Sequence, residues 1–170
     1  MYPNIIRTLN VSPEKKVGKI ANWKKFLPAF YSSKNEPDQV VTMTSTNGDV
    51  KEINLAKLRT ILEKNNMSIA CNGVMYKLNE PGFIPQIVSE WFAERVEFKN
   101  KKFAAKKQNN TSEEIMYDIM QYVMKILMNT LYGVLALPSF RYYDRDMAES
   151  IIIRRVQALI GITGRKACVS

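Results

Sequence analysis

One pair of long helical stretches limits what this chain can become. From Ile84 to about Lys107 no Gly or Pro occurs after Pro85, and Ile87, Trp91, Phe92, Val96 and Phe103 fit one apolar face of a long helix. Gln108-Asn109-Asn110 reads as a turn. Thr111 with Glu114 three residues later is a capping-box pattern, so a second helix is expected from there to about Ala136, with Pro138 ending it. Its buried stripe is expected to be Ile115, Ile119, Val123, Ile126, Leu127, Leu131 and Val134. Helices of roughly 24 and 26 residues, at about 1.5 Å per residue, make an antiparallel pair ~36–39 Å long. A chain of 170 residues has enough material for one compact core, from which such a pair must protrude.

The segments around the pair are mixed. Pro3 suits the first turn of a short helix with Ile5, Ile6 and Leu9 on one side, closed by residues 10–15. Residues 13–35 are Lys-rich, and Pro28 is expected to break or kink any helix there. Val40–Thr44 and Val50–Ile53 are β-branched runs around Asn47-Gly48, which favours a tight primed hairpin turn, and Asn72-Gly73 marks a second hairpin. A short helix is expected over Leu55–Glu63. Ser139–Tyr143 reads as a strand, and Asp146 with Glu149 as the cap of a last helix through about Ile160. Its Ile151, Ile152, Val156 and Leu159 imply packing on strands outside the chain. The fold class expected is α+β, mostly helical, with a two-helix antiparallel hairpin.

Twenty-five Lys and Arg against sixteen Asp and Glu leave a charge of +9, so the expected partner is a polyanion, either nucleic acid or an anionic membrane surface. The absence of histidine excludes imidazole acid–base chemistry, Ser-His and Cys-His nucleophile pairs, and His-containing zinc sites. Cys71 and Cys168 lie far apart with no CxxC partner, so both are expected to be reduced in a cytosolic setting. No apolar run reaches the roughly 18–20 residues of a membrane span, and the opening MYPNIIRTLN lacks the layout of a signal peptide.

On the second long helix, Lys125, Asn129 and Tyr132 fall within roughly 40° of one line. On the first, Arg95 and Lys99 are four apart, followed by Lys101, Lys102, Lys106 and Lys107. Antiparallel packing lets two basic stripes face a common anion, and a triphosphate suits them because several non-bridging oxygens can be neutralised together. From spacing alone the same residues also suit solvated helix faces.

KILMNTLYG (125–133) resembles the K-x-x-x-N-S-x-Y-G motif of family B DNA polymerases, with Thr130 in place of Ser. Tyr2-Pro3-Asn4-Ile5-Ile6 resembles the tail of that family's S-L-Y-P-S-I-I motif, with Asn4 departing from Ser. Phe140-Arg141-Tyr142-Tyr143-Asp144 is similar to the segment after the K-x-x-x-N helix in T-even-type phage polymerases. Asn72-Gly73 with Met75-Tyr76, Pro81-Gly82 and WFAERVEFK (91–99) stand in the order of such an enzyme. The similarity covers roughly residues 1–20 and 67–170. Residues 21–66 have no counterpart in it, and the hairpin tip is shorter than in T-even relatives.

The resemblance implies a division into partial palm (1–20), a palm–fingers connection with hairpins (21–82), the fingers helix pair (83–137) and a further partial palm strand and helix (138–170). It implies a nucleotidyltransferase reaction in which a primer 3′-hydroxyl attacks the α-phosphate of a deoxynucleoside triphosphate, with two Mg2+ ions held by aspartates. Lys125 would bind the triphosphate and donate a proton to the leaving pyrophosphate, with Arg95 and Lys99 reaching it on closure and Asn129 near it. Tyr132 and Gly133 would pack under the nascent base pair and test its minor groove, where correct pairs present similar acceptors. Tyr2 would stack beneath the sugar and exclude a 2′-hydroxyl.

The first metal-binding Asp of the family would precede Met1 by four residues and the second would follow Ser170, so no metal ligand is expected within the chain. It is thus expected to be an internal fragment, inactive alone. Primer–template DNA and dNTPs are the implied partners, with a sliding clamp reached through parts outside the chain, no membrane, and the host cytoplasm as location. The Asp144-Arg145-Asp146 pattern is read as belonging to the Phe140–Asp144 match and a helix cap rather than to a metal site. A protein-primed family B polymerase and a non-catalytic basic nucleic-acid-binding module are the competing readings.

Overall fold

The computed structural model describes residues 2–31 and 39–159, with side chains described for 2–30 and 39–152. Ile160, Cys168 and the side chains of Val156 and Leu159 lie outside the described residues. The elements, in order, are α1 (Tyr2–Leu9), a 3-10 turn (Pro13–Lys15), β1 (Lys16–Ile20), α2 (Trp23–Tyr31), β2 (Val40–Ser45), β3 (Val50–Asn54), α3 (Leu55–Lys64), β4 (Met67–Ile69), β5 (Val74–Lys77), α4 (Phe83–Lys107), α5 (Thr111–Leu135) and α6 (Arg145–Leu159). The architecture is mostly helical around one mixed region with a five-stranded sheet, in the order β3-β2-β1-β5-β4. Every pairing in it is antiparallel.

Asparagine closes three of the helices. Asn10, Asn66 and Asn109 take φ of 57°, 47° and 54° just past α1, α3 and α4. Asn tolerates this left-handed conformation because its short side chain can bond locally. The resulting return bonds are Val11 N to Ile6 O (3.0 Å) and Asn110 N to Ala105 O (3.0 Å), which satisfy carbonyls left open at the helix ends.

Both expected hairpins form, with a different turn. Gly48 (φ 89°) and Gly73 (φ 86°) carry the positive dihedral, whereas Asn47 and Asn72 do not. Gly48 N donates to Ser45 O and Ser45 N to Asp49 O; Gly73 N donates to Ala70 O and Ala70 N to Val74 O. Each connection is therefore a three-residue loop ending in a left-handed glycine, rather than a two-residue primed turn.

The sheet separates two apolar clusters. On one side Val74 and Tyr76 of β5 join Ile6, Leu9, Ile84, Leu135, Met147 and Ile151. On the other, Met75 joins Ile20, Trp23, Val41, Leu58 and Leu62. Alternation along β5 sends successive side chains to opposite faces.

Several expectations are corrected. Ser139–Tyr143 is not a strand but two successive turns, with Phe140 N bonded to Leu137 O and Tyr143 N to Phe140 O, both 2.9 Å; among the described residues no strand pairs with it. The cap of α5 is Asn110, whose side chain accepts from Glu113 N, one residue before the Thr111–Glu114 box. Asp144, not Asp146, caps α6, accepting from Asp146 N at 2.8 Å and Met147 N at 3.2 Å. Helix α2 continues through Pro28. Ile151 is fully buried against α1, α5 and β5 within this chain, while Ile152 is exposed.

The apolar stripe of α5 is not a core. Met128 and Leu135 are its buried residues, whereas Ile115, Ile119, Val123, Ile126 and Leu127 are exposed, Ile119 by 59%. Likewise Val96 and Phe103 of α4 face solvent and Ala105 is buried. Two helices alone bury only the narrow seam between them, and small Ala105 lets them approach closely near the tip.

Candidate functional site

Two tyrosines separated by 130 positions in sequence meet at the foot of the helix pair. Tyr2, the first residue of α1, stacks on Tyr132 of α5 with ring centroids 4.0 Å apart and planes inclined by 25°. Both rings are partly buried and rest on the first apolar cluster, beside Leu131 and Phe140. Helix α1 is held there by Ile5, Ile6 and Leu9, so Tyr2 is fixed by the packing of the helix it begins.

Asn129, Tyr132 and Gly133 line one open groove of about 440 Å³ together with Ile126, Thr130, Val134 and Leu137. A Cβ at Gly133 would meet nothing within 4 Å, so this glycine leaves open surface rather than relieving a clash. The lining mixes polar Asn129, Thr130 and Tyr132 with apolar Ile126, Val134 and Leu137, a combination suited to an amphipathic ligand.

Arg95, Lys99 and Lys125, expected to reach a common triphosphate on closure, each have a partner within the helix pair in this structure. Arg95 Nε donates to Gln121 Oε1 across the helix pair at 3.4 Å, one turn before Lys125 on α5. Lys125 is exposed and its ammonium lies 5.8 Å from the Tyr122 ring centre; Lys99 lies 5.9 Å from that of Phe103. Lys99 and Lys125 thus each rest on an aromatic ring of their own helix. Lys102 pairs with Asp118 across the seam at 2.8 Å, and Lys101 pairs with Glu97.

A larger groove, about 1030 Å³, opens between β1, α2 and the start of α6. Within it Lys16 bonds Asp144 at 2.7 Å and Asp146 at 3.0 Å, and Lys19 bonds Asp146 at 2.7 Å. Burial alone would raise the Asp146 carboxyl, but the hydrogen bonds from Lys19 and Lys16 outweigh it and hold it below its ordinary range. Burial alone would lower the Lys16 ammonium, and its bonds to Asp144 and Asp146 likewise prevail and raise it. The Lys16, Lys19, Asp144 and Asp146 side chains in this larger groove are paired with one another and tie the start of α6 to β1. Sequence gave no sign of this cluster, because its members lie 127 to 130 positions apart.

The described residues contain no group of three or more His, Cys, Asp or Glu placed to hold a metal ion. Asp144 and Asp146 are committed to lysines and a helix cap, so the chain's described carboxylates do not fit a two-metal centre. No helix among the described residues is long and apolar enough to cross a membrane.

The fold is a long antiparallel helix pair whose foot packs on α1 and α6 beside a small antiparallel sheet, with a tyrosine stack joining α1 to α5, and comparison with known proteins shows its family. The family model for DNA polymerase family B matches residues 1–155. The chain belongs to that family. It is 26% identical over 150 residues to the DNA polymerase of Fowlpox virus (strain NVSL), covering 88% of this chain and 14% of that protein. It is 30% identical over 152 residues to DNA polymerase 1 of Saccharolobus solfataricus, covering 89% and 13%. In fold it is similar to the family B DNA polymerase from Pyrobaculum calidifontis, with a TM-score of 0.56 and 21% identity over 96% of this chain and 17% of that one. The chain therefore spans only 13–17% of the length of these relatives.

Proposed function

We propose that this chain is the part of a DNA-directed DNA polymerase that binds the incoming dNTP and the nascent base pair, with α4 and α5 as the fingers and the flanking segments as palm. The observation that carries the reading is the Tyr2–Tyr132 stack, which brings the ends of two family motifs together, with Tyr132 also lining the groove that Asn129 and Gly133 share. A nucleotide in that groove would rest its sugar against Tyr2 and its base pair against Tyr132 and Gly133.

Arg95 bonds Gln121, one turn before Lys125 on the facing helix, so a triphosphate bound beside that turn would be within reach of both cations. Developing charge on the leaving pyrophosphate is stabilised by such groups because they need no reorganisation as the bond breaks. Lys125 is exposed, and we assign it the proton given to pyrophosphate; Lys99 joins when the helices swing inward. Mg2+ would supply the charge stabilisation of a two-metal reaction, and the described carboxylates are not grouped to hold it. Primer–template DNA is the macromolecular partner, and a sliding clamp would engage parts beyond these residues.

Within the family, Phe140–Asp144 favours the T-even-like phage replicative enzymes, with viral DNA replication in the host cytoplasm as the setting. The test is single-turnover primer extension by the full-length enzyme. Lys125→Ala is expected to slow incorporation by about 100-fold, the usual effect of removing one transition-state charge partner, with duplex binding retained. Unaltered incorporation sinks the triphosphate assignment.

A further inference from the structure

The start of α4 is built from residues that precede it by about seventy positions. Gly82 is the N-cap of α4 and has no side chain to offer, so the first free amides of the helix need other partners. Phe83 N donates to Glu14 Oε1 at 2.8 Å and Ile84 N to Ser12 Oγ at 3.5 Å. Ser12 Oγ in turn donates to the second carboxylate oxygen of Glu14 at 2.7 Å. Gly82 N donates to Asn10 Oδ1 at 2.8 Å, while Asn10 Nδ2 donates to the carbonyls of Lys77 and Glu80 at 2.6 and 2.8 Å. Asn10 and Ser12 are buried. One asparagine side chain therefore closes the whole loop from β5 to α4, and one carboxylate finishes the helix.

The fit is tight as well as polar. A Cβ at Gly82 would lie 2.5 Å from Ser12 Cβ and 2.8 Å from Glu14 Oε1. The helix start cannot slide toward the Asn10–Glu14 turn or rotate against it without breaking this set. The same turn follows directly on α1, whose first residue is Tyr2.

We propose that the Asn10–Glu14 turn is the seat that sets the angle of α4, and that Glu14 is a positioning residue for nucleotide binding. The proposal rests on the nucleotide-binding reading above. Arg95 lies 12 residues beyond Phe83, ~18 Å along the helix, and Lys107 lies ~36 Å along it. A tilt of about 5° at the seat moves Arg95 by ~1.6 Å and the tip by ~3 Å, enough to take a guanidinium out of hydrogen-bond reach of a phosphate. Glu14 touches no reacting group. Its effect passes through the helix it caps, whose N-terminal amides favour a carboxylate.

The test uses the full-length enzyme, with dNTP titration in single-turnover primer extension and amide exchange of Phe83 and Ile84. Glu14→Ala is expected to raise the dNTP concentration for half-maximal rate by about fivefold, the factor reached if the typical stability loss of one helix cap passes in full to nucleotide binding, with faster exchange at both amides and DNA affinity unchanged. Glu14→Gln keeps an acceptor for Phe83 N and is expected to restore the titration to within about twofold. Lost amide protection with an unchanged titration overturns the proposal, as does equal impairment in Glu14→Ala and Glu14→Gln. Should Glu14→Ala not fold, Ser12→Ala is read in the same titration, where an unchanged value is again fatal to it. Lys125→Ala, run in parallel, separates the two claims. A normal Lys125→Ala enzyme removes the nucleotide reading, whereas an impaired one beside a silent Glu14→Ala removes only the seat.

Discussion

Gly48 and Gly73 offer a controlled comparison of backbone strain with steric clash. Their φ values, 89° and 86°, are nearly the same, and both end three-residue hairpin loops. Their surroundings differ completely. A Cβ at Gly48 meets nothing within 4 Å, whereas one at Gly73 would lie 2.7 Å from Ile20 O and 2.7 Å from Trp23 Cβ. Trp23 is 2% exposed and Ile20 1%, so neither neighbour can swing aside. Placing alanine in the left-handed region costs ~1–2 kcal/mol, offset by ~0.4–1 kcal/mol from the stiffer unfolded chain, which leaves ~1 kcal/mol for Gly48→Ala. Gly73→Ala adds an overpacking cost of ~2 kcal/mol, for a total of ~3 kcal/mol. At an assumed slope of ~2 kcal/mol per molar urea, the midpoints should fall by ~0.5 M and ~1.5 M respectively. The assay is urea unfolding followed by far-ultraviolet circular dichroism. Equal shifts in the two variants would refute the reasoning, since they would make the dihedral angle alone responsible. The Gly73 loop also carries Asn72, which donates to Asp146 O at 2.8 Å and accepts from Ser150 Oγ at 3.0 Å. The damage should therefore reach α6.

Tyr2→Ala in the full-length enzyme should admit ribonucleotides in primer extension, and Tyr132→Ala should weaken the same discrimination by roughly fivefold, because an aromatic stack worth ~1 kcal/mol no longer holds the Tyr2 ring. Unchanged sugar selectivity in both removes the pair from that role. Asp146→Asn should lower stability at neutral pH by about 1 kcal/mol, as expected for a partly solvated ion-pair cluster. Since the folded-state carboxyl titrates below its ordinary 3.8, its contribution is present above that value and is lost as pH falls through the folded pKa. Lys16, raised above 10.5, contributes fully below that value and loses its contribution as pH rises through the folded pKa. Thermal melts of wild type and Asp146→Asn should therefore converge in acid, and a constant gap down to the lowest pH would contradict the ion-pair account.

Much of this fold is legible in local sequence. Pro3 with Ile5, Ile6 and Leu9 suffices for α1, and the Asn-Gly pairs locate both hairpins, because turns and amphipathic spacing act over a few residues. The groove residues Asn129, Tyr132 and Gly133 share a helix face for the same reason. Legibility fails where the partner is distant. Nothing in Ser139–Tyr143 reveals that no strand lies beside it, and Thr111 and Asn110 are equally good caps until the turn geometry chooses. The stripe from Ile115 to Leu127 has the periodicity of a buried face, yet periodicity states only that one side is apolar and not that anything covers it. Arg95, Lys99 and Lys125 share charge and spacing, but their local partners Gln121, Phe103 and Tyr122 follow from rotamers and helix register.

The strand that divides the two apolar clusters has a consequence for how such a protein can diverge. Met75 faces one cluster while Val74 and Tyr76 face the other, so residues 39–64 build on a surface turned away from the tyrosine stack. Changes of length or sequence there alter the far side of a wall, and Tyr2 and Tyr132 keep their neighbours. The family model matches residues 1–155 and so takes in residues 21–66, for which the motif resemblance alone supplied no counterpart; the strand between the two clusters lets that region keep its place in the fold without touching the tyrosine stack.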